Sequence, residues 1–160
     1  MENSAVILAA GDGKRMKSQK SKMLHEVLFK PMIDWVLDAA SGAGIGELCV
    51  VTGSRHEQLE QHLGGRYETA LQHQRLGTAH AVLMAADFIG RHRGGDVAVL
   101  YGDVPFIGSD VLAGALELHR AEGNDVTVVS ARVEQPYGYG RIRRDASGRV
   151  SGVVEEKDAS

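Results

Sequence analysis

Three clusters of residues have types and spacings able to do chemistry. The first is residues 6–22, VILAAGDGKRMKSQKSK, where an apolar run stops in a glycine-containing loop that becomes densely basic. Small residues at Ala9, Ala10, Gly11 and Gly13 let successive backbone N–H groups converge on an anion. Lys14, Arg15, Lys17, Lys20 and Lys22 supply positive charge around it. The second cluster is residues 72–78, QHQRLGT, in which Gly77 and Thr78 stand where a helical pattern begins and exposed N–H groups favour ligand contacts. A plain N-cap accounts for Thr78 equally well. The third is LYGDVP at residues 100–105, where a carboxylate emerges as a buried strand ends. Asp103 there suits a magnesium ion that takes one or two carboxylates and completes its shell with phosphate oxygens and water. It suits a turn cap before Pro105 as well.

Familiar phosphate motifs do not fit the first cluster. Gly11 and Gly13 begin a dinucleotide fingerprint whose third glycine would fall at Met16, and no GxxxxGK[ST] pattern occurs. An anion-binding loop and an ordinary glycine turn followed by a solvated basic segment both match the spacing. The seven histidines show no HExxH spacing, Cys49 lies inside an apolar strand and Trp35 on a helix face, so all are assigned to packing or surface.

The elements that must position these clusters follow from periodicity. Val6, Ile7 and Leu8 read as a strand buried on both faces, residues 47–52 (ELCVVT) as a second, residues 67–71 as a short third and residues 96–101 (DVAVLY) as the clearest of all. Between them, helical spacing appears at residues 31–40, 55–63 and 78–89. A further helix begins at Ser109 as its cap and carries Val111, Leu112, Ala115 and Leu118, and residues 125–133 read as another strand. Residues 139–144 and 149–155 flank a turn-rich segment and read as a hairpin. Alternating strands and helices predict an α/β fold with a mostly parallel, doubly wound sheet. In such a sheet ligands gather beyond the carboxyl ends of the strands, so the loops after Leu8, Leu71 and Tyr101 should face one crevice.

The whole composition narrows the classes. At 160 residues with 43% hydrophobic and 24% charged residues, the chain is of one-domain size and can bury a core. A net charge of −3 gives no global basic field for nucleic acid, so the positive charge near residues 14–22 suits a small anionic ligand. One cysteine excludes an internal disulfide and fits a reducing, cytoplasmic setting. No apolar run approaches the ~20 residues of a membrane span, and the N-terminus does not read as a signal peptide.

The segments VILAAGDGKRM, SKMLHEV, LQHQRLGTAHAV, LYGDVP, YGYGRI and VVEEKDA occur in that order. In that series the chain closely resembles the N-terminal uridyltransferase region of the bacterial bifunctional N-acetylglucosamine-1-phosphate uridyltransferases and glucosamine-1-phosphate acetyltransferases. The resemblance covers essentially the whole chain. It implies a Rossmann-like fold of nucleotide-diphospho-sugar transferase type. It also implies transfer of UMP from UTP to N-acetylglucosamine 1-phosphate, giving UDP-N-acetylglucosamine and pyrophosphate for peptidoglycan and cell-wall biogenesis. Magnesium is the implied cofactor. Carried over by motif, Leu8, Ala9, Ala10, Gly11 and Gly13 approach the nucleotide, and Arg15 and Lys22 meet the phosphates as the catalytic cations. Gln72, Gly77 and Thr78 surround the uracil, Asp103 takes the metal with Gly102 beside it, and Gly140 and Glu155 contact the amino sugar. These types suit the chemistry. The attacking sugar phosphate is already anionic, so positioning and charge neutralisation replace a nucleophilic serine or a histidine base. Gln72 offers both a donor and an acceptor to the mixed edge of uracil.

Two departures from the family pattern stand out. Ser21 occupies the position where relatives place a proline before the lysine, a change expected to loosen the aim of Lys22. The resemblance also implies a chain that is C-terminally incomplete, without an Asn-Thr-Gly sugar segment, a second metal ligand or the acetyltransferase β-helix that carries the trimer contacts. Competing readings are a non-catalytic nucleotide-binding fragment, and transfer to another sugar phosphate or a molybdopterin-type acceptor.

Overall fold

The computed structural model describes residues 2–13 and 16–158. The chain forms two compact units, Met1–Gly123 and Asn124–Ser160. In the first, β1 (Ser4–Leu8) is followed by a hairpin of β2 (Glu26–Val27) and β3 (Lys30–Pro31), then α1 (Met32–Gly42), β4 (Glu47–Thr52), α2 (His56–Leu63) and β5 (Glu68–Leu71). There follow α3 (Thr78–Met84), α4 (Ala86–Arg91), β6 (Val97–Tyr101) and α5 (Ser109–Glu122).

β1 owes its central place to a run of side chains that are apolar on both faces. It pairs in parallel with β4 on one side and β6 on the other, and β5 adds in parallel to β4, so the sheet order is β5-β4-β1-β6. Strand alternation sends Ala5, Ile7 and Ala9 into one core with Ile33, Val36 and Leu37 of α1, Leu59 and Leu63 of α2 and Leu112 of α5. Val6, Leu8 and Ala10 face the other way, against Ala81, Ala85 and Phe88. Helices thus cover both faces, the doubly wound arrangement expected from the sequence. Burial of each large apolar side chain is worth about 1.5–3 kcal/mol, which accounts for a sheet as short as this holding its register. That register aligns Leu8 with Val51 and Tyr101, and Thr52 with Leu71, so the loops beginning at Ala9, Gly53, Gln72 and Gly102 leave the same edge.

Three local expectations are corrected. The helix expected over residues 78–89 is two helices broken at Ala85, whose N–H bonds to Val82 O at 3.0 Å in a tighter turn. The break brings Ala81, Ala85 and Phe88 all under the sheet. Ser109 is the first helical residue rather than the cap; Gly108 takes the cap position without a side-chain bond. Residues 125–133, expected as a strand, form none. Their β-branched side chains favour extended backbone, but a strand is made by a ladder, and among the described residues no partner pairs with this segment. Val126 is 77% exposed accordingly.

In the second unit β7 (Arg141–Arg144) and β8 (Val150–Val154) form the expected antiparallel hairpin. Its turn is fixed by Asp145, whose Oδ1 accepts from Ser147 Oγ at 2.6 Å, Ser147 N at 2.9 Å and Arg149 N at 3.0 Å. These bonds, the Ser147 hydroxyl first, hold the Asp145 carboxyl below its ordinary pKa. Among the described residues no helix is long and apolar enough to cross a membrane.

Candidate active site

The loop after β1 is held close to the loop after β4. Ala9 N–H donates to Val51 O at 2.9 Å, and a Cβ on Gly53 would lie 2.9 Å from Ala10 Cα, so only a glycine admits this approach. Leu8, Ala9 and Ala10 are buried, and Gly11 reaches solvent. Gly13 has φ +60°, and a side chain there would meet Lys22 Cβ at 2.9 Å, so the stem of Lys22 packs where Gly13 leaves room. Arg15, one of the two expected catalytic cations, lies with Lys14 outside the described residues.

Lys22 and Asp103 meet although 81 positions separate them: Lys22 Nζ donates to Asp103 Oδ2 at 2.5 Å. Both side chains are partly exposed. Asp103 therefore does not cap its turn, which is closed instead by Val104 N–H on Tyr101 O. Gly102 sets the depth of the carboxylate. Its N–H bonds Leu8 O at 3.0 Å, and a Cβ would press on Ile33 Cδ1 and Met23 Sδ at 3.0 and 3.2 Å. The aim of Lys22 is not loosened by Ser21. Ser21 is buried with φ −54°, an angle proline itself would adopt, and its N–H donates to Gln58 Oε1 at 2.8 Å. Gln58 Nε2 in turn donates to Gln19 O at 3.1 Å, so a side chain on α2 supplies the rigidity that a proline ring supplies by covalent means.

Gln72 is buried at the end of β5, its N–H on Thr52 O at 2.9 Å. Its Nε2 donates to Gly77 O at 3.2 Å and to His80 Nδ1 at 2.9 Å. Both amide hydrogens are thus spent, one on the loop and one on α3, and Oε1 is the atom left over, an acceptor rather than the donor and acceptor expected. Gly77, at φ +103°, is the N-cap of α3, and Thr78 follows as the first helical residue without a capping bond. Both are exposed.

Other residues complete the arrangement without having stood out in the sequence. Asp12 accepts from Ser54 Oγ at 2.6 Å and pairs with Arg75. Arg55 Nη1 donates to Lys20 O at 3.0 Å and to Asp12 O at 3.4 Å, tying both ends of the basic segment. The signal for Asp12 was present: a lone acid in an otherwise basic loop asks for a partner. A cleft of about 310 Å³ opens among Asp12, Gly13, Lys17, Ser18, Gln19, Ser54 and Arg55; neither Gln72 nor Asp103 lines it. Cys49 is fully buried in β4, where burial, and secondarily Glu68, pushes its thiol pKa up to about 11, so it is inert.

Gly140 and Glu155 belong to the hairpin unit. A Cβ on Gly140 would stand 3.2 Å from Val153 Cγ1 and 3.5 Å from Val154 O, so Gly140 lies against the strand that runs into Glu155. Arg141 pairs with Glu156 at 2.7 Å beside them.

A parallel open sheet whose strand ends present a glycine turn, a buried amide acceptor and a lysine–carboxylate pair has the layout of a nucleotide-binding transferase. The nucleotidyl transferase family profile matches residues 4–157, and the chain belongs to that family. It is 51% identical over 156 residues to "Bifunctional protein GlmU" of Caldanaerobacter subterraneus subsp. tengcongensis, covering 98% of this chain and 34% of that protein. The protein of the same name from Pelobacter propionicus is 47% identical over 163 residues, covering 100% and 35%. The chain thus spans about a third of the length of these relatives and corresponds to their N-terminal part, in agreement with the resemblance carried by the motifs. Among solved structures, a nucleotidyl transferase from Methanothermobacter thermautotroptrophicus superposes with a TM-score of 0.61 at 25% identity, over 72% of this chain and 57% of that one. Rv0371c from Mycobacterium tuberculosis H37Rv gives 0.62 at 19% identity over 75% and 61%, a likeness of fold alone.

Proposed function

We propose that the chain binds UTP and transfers UMP to N-acetylglucosamine 1-phosphate, releasing pyrophosphate, as a step toward UDP-N-acetylglucosamine and peptidoglycan in the cytoplasm. The observation that carries this reading is the contact between Lys22, at the start of the short helical turn that follows the glycine loop, and Asp103, just beyond the end of β6 beside β1. An ammonium and a carboxylate in contact are a charge-balanced site in the free protein. Asp103 fits a magnesium ion, because one carboxylate at the site edge, with substrate phosphate oxygens and water, is the donor set that ion accepts. Bound there, magnesium would neutralise charge on the triphosphate as pyrophosphate leaves. The Lys22 ammonium, released from Asp103, is placed to hold a phosphate oxygen, and Gly13 keeps its stem in line. Arg15 is proposed as the second cation.

Gln72 Oε1 suits the N3–H of uracil and repels the unprotonated N3 of cytosine, which supports UTP as the nucleotide. Gly11, Gly77 and Thr78 offer backbone and hydroxyl groups around the nucleoside, and Gly140 and Glu155 are proposed for the sugar. The relatives named GlmU support a nucleotide and a sugar phosphate as the substrate classes.

A nucleotide-binding module without turnover is the second reading. It is favoured by the contact of Lys22 Nζ with Asp103 Oδ2 at 2.5 Å, an ion pair that must open before Asp103 can take a metal ion. Incubation with UTP, N-acetylglucosamine 1-phosphate and magnesium, with release of pyrophosphate measured, tests the proposal. Folded protein that releases none refutes transfer, and calorimetric binding of UTP in that case establishes the second reading. A panel of other sugar phosphates and molybdopterin-type acceptors tests the acceptor.

A further inference from the structure

We infer that Asp12 is a positioning residue for nucleotide discrimination, holding the base-side loop against the phosphate-side loop through Arg75 and Ser54. The inference rests on the proposed nucleotide site and concerns residues that reading does not use. β1, β4 and β5 are neighbours in the sheet, and the loops that leave their ends carry Asp12, Ser54 and Arg75 respectively. Asp12 Oδ1 takes the Ser54 hydroxyl at 2.6 Å, and Oδ2 pairs with the Arg75 guanidinium. One carboxylate therefore cross-links three loops.

Arg55 also ties the loop after β4 to the loop after β1, through Asp12 O and Lys20 O, whereas the loop after β5 meets the loop after β1 through the Asp12–Arg75 pair. Among the described residues, the backbone hydrogen bonds that join these loops lie at the strand ends, Ala9 N–H to Val51 O and Gln72 N–H to Thr52 O. Among the described residues no backbone hydrogen bond joins residues 10–13 to residues 73–77. The Asp12 side chain is 16% exposed, so its charge is screened less than that of an open surface pair. Arg75 sits three residues beyond Gln72 and two before Gly77, the carbonyl that anchors the Gln72 amide. Fixing Arg75 fixes that carbonyl and so the direction of Gln72 Oε1. Asp12, next to Gly11, simultaneously fixes where the phosphate loop turns. The pair sets the span between the groups that meet the base and the groups that meet the phosphates, without touching either.

The variants are Asp12→Asn, which keeps an acceptor for Ser54 and removes the charge, and Arg75→Gln, a change at an exposed side chain that leaves the fold undisturbed. The first measurement uses no ligand: amide hydrogen exchange at Leu76 and Ala81, whose N–H groups donate to Gln74 O and Gly77 O at 3.1 Å, should speed up at least fivefold in both variants, with the α1 and β4 amides unchanged. The second is steady-state kinetics on the intact chain, with the UTP and CTP concentrations varied. Expected are a rise of about tenfold in KM for UTP, kcat within a factor of about two, a smaller UTP-to-CTP preference, and a double variant no worse than either single one. Calorimetric Kd replaces KM if there is binding without turnover. Unchanged exchange at Leu76 and Ala81 overturns the inference whatever the nucleotide result. Faster exchange with unchanged UTP affinity and preference in the variants also overturns it. A wild-type protein that binds no nucleotide overturns the proposed function and this role with it, while leaving the exchange result to report on the cross-link alone.

Discussion

Replacing Gly53 by alanine probes the closest backbone approach in the site. The added Cβ would stand 2.9 Å from Ala10 Cα and 3.0 Å from Ala10 C. Ordinary contact begins at 3.4 Å and the carbonyl oxygen of Ala10 lies nearer still, so the two loops must separate by about 1 Å. No flexible side chain can yield, because the obstacle is the backbone of a loop that the Ala9–Val51 hydrogen bond holds in place. Overpacking of this kind costs about 1–3 kcal/mol, or a fall in Tm of about 2–12 °C for a domain this size. Gly114 is the control: it lies inside α5, and a methyl added there would have no atom within 4 Å, so Gly114→Ala should gain about 0.5–1 kcal/mol from helix propensity alone. Thermal unfolding by circular dichroism reads both variants. Repeating it with saturating UTP and magnesium reads the site, since a tenfold weaker Kd removes about 1.4 kcal/mol of ligand stabilisation. A Gly53→Ala protein with the wild-type Tm and the wild-type UTP shift would refute the close apposition of the two loops and their role in holding the nucleotide.

Asp103→Asn should lower pyrophosphate release by about 10²–10³-fold with an unchanged circular dichroism spectrum, and raise the magnesium concentration needed for half-maximal rate. Gln58→Leu removes the acceptor for Ser21 N–H; a displaced Lys22 should lower kcat by about tenfold while KM for UTP changes less, read in the same assay. Gln72→Leu removes the acceptor proposed for uracil N3–H and should reduce UTP affinity by about tenfold in calorimetry, with little change for CTP. Cys49 gives a pH dependence. Its thiol is pushed up to about 11 in the folded chain from an ordinary 9.0, so the unfolded chain loses its proton first. Stability from this group is complete below pH 9 and falls as pH rises toward 11, by up to about 1.4 kcal/mol per pH unit. Urea melts over that range should show a steeper decline for the wild type than for Cys49→Ala, and equal slopes would refute the burial effect.

The parts of this molecule that were legible in the sequence are those written in local pattern. β1 announced itself because both of its faces are apolar, and α1 because its buried residues recur at helical spacing. Lys22 and Asp103 stood out only through the ordered series of motifs, since spacing leaves a basic segment and a turn carboxylate with ordinary explanations; the fold brings the two side chains together at 2.5 Å. What was not legible depends on partners distant in the chain. The segment 125–133 has the side chains of a strand, but side chains do not create a ladder. From sequence the amide of Gln72 is bifunctional, because nothing along the chain reveals that Gly77 O and His80 Nδ1 take its hydrogens.

Ser21 makes the same point in the other direction and carries it to function. Read along the chain, the loss of a proline removes a constraint on φ and should free the lysine that follows. The fold restores that constraint from outside: α2 packs Leu59 and Leu63 into the core, which places Gln58 over residues 19–21 with one group for Gln19 O and one for Ser21 N–H. A proline could not have used the second of these, because it has no N–H to give. The serine and the glutamine are therefore one device, and neither substitution alone is neutral. Ser21→Pro should leave Gln58 Oε1 without its donor yet keep Lys22 aimed, so it should rescue the kcat lost in Gln58→Leu. If the double variant is as slow as Gln58→Leu alone, the rigidity of this turn does not come from Gln58, and the aim of Lys22 rests on its contacts with Gly13 and Asp103 instead.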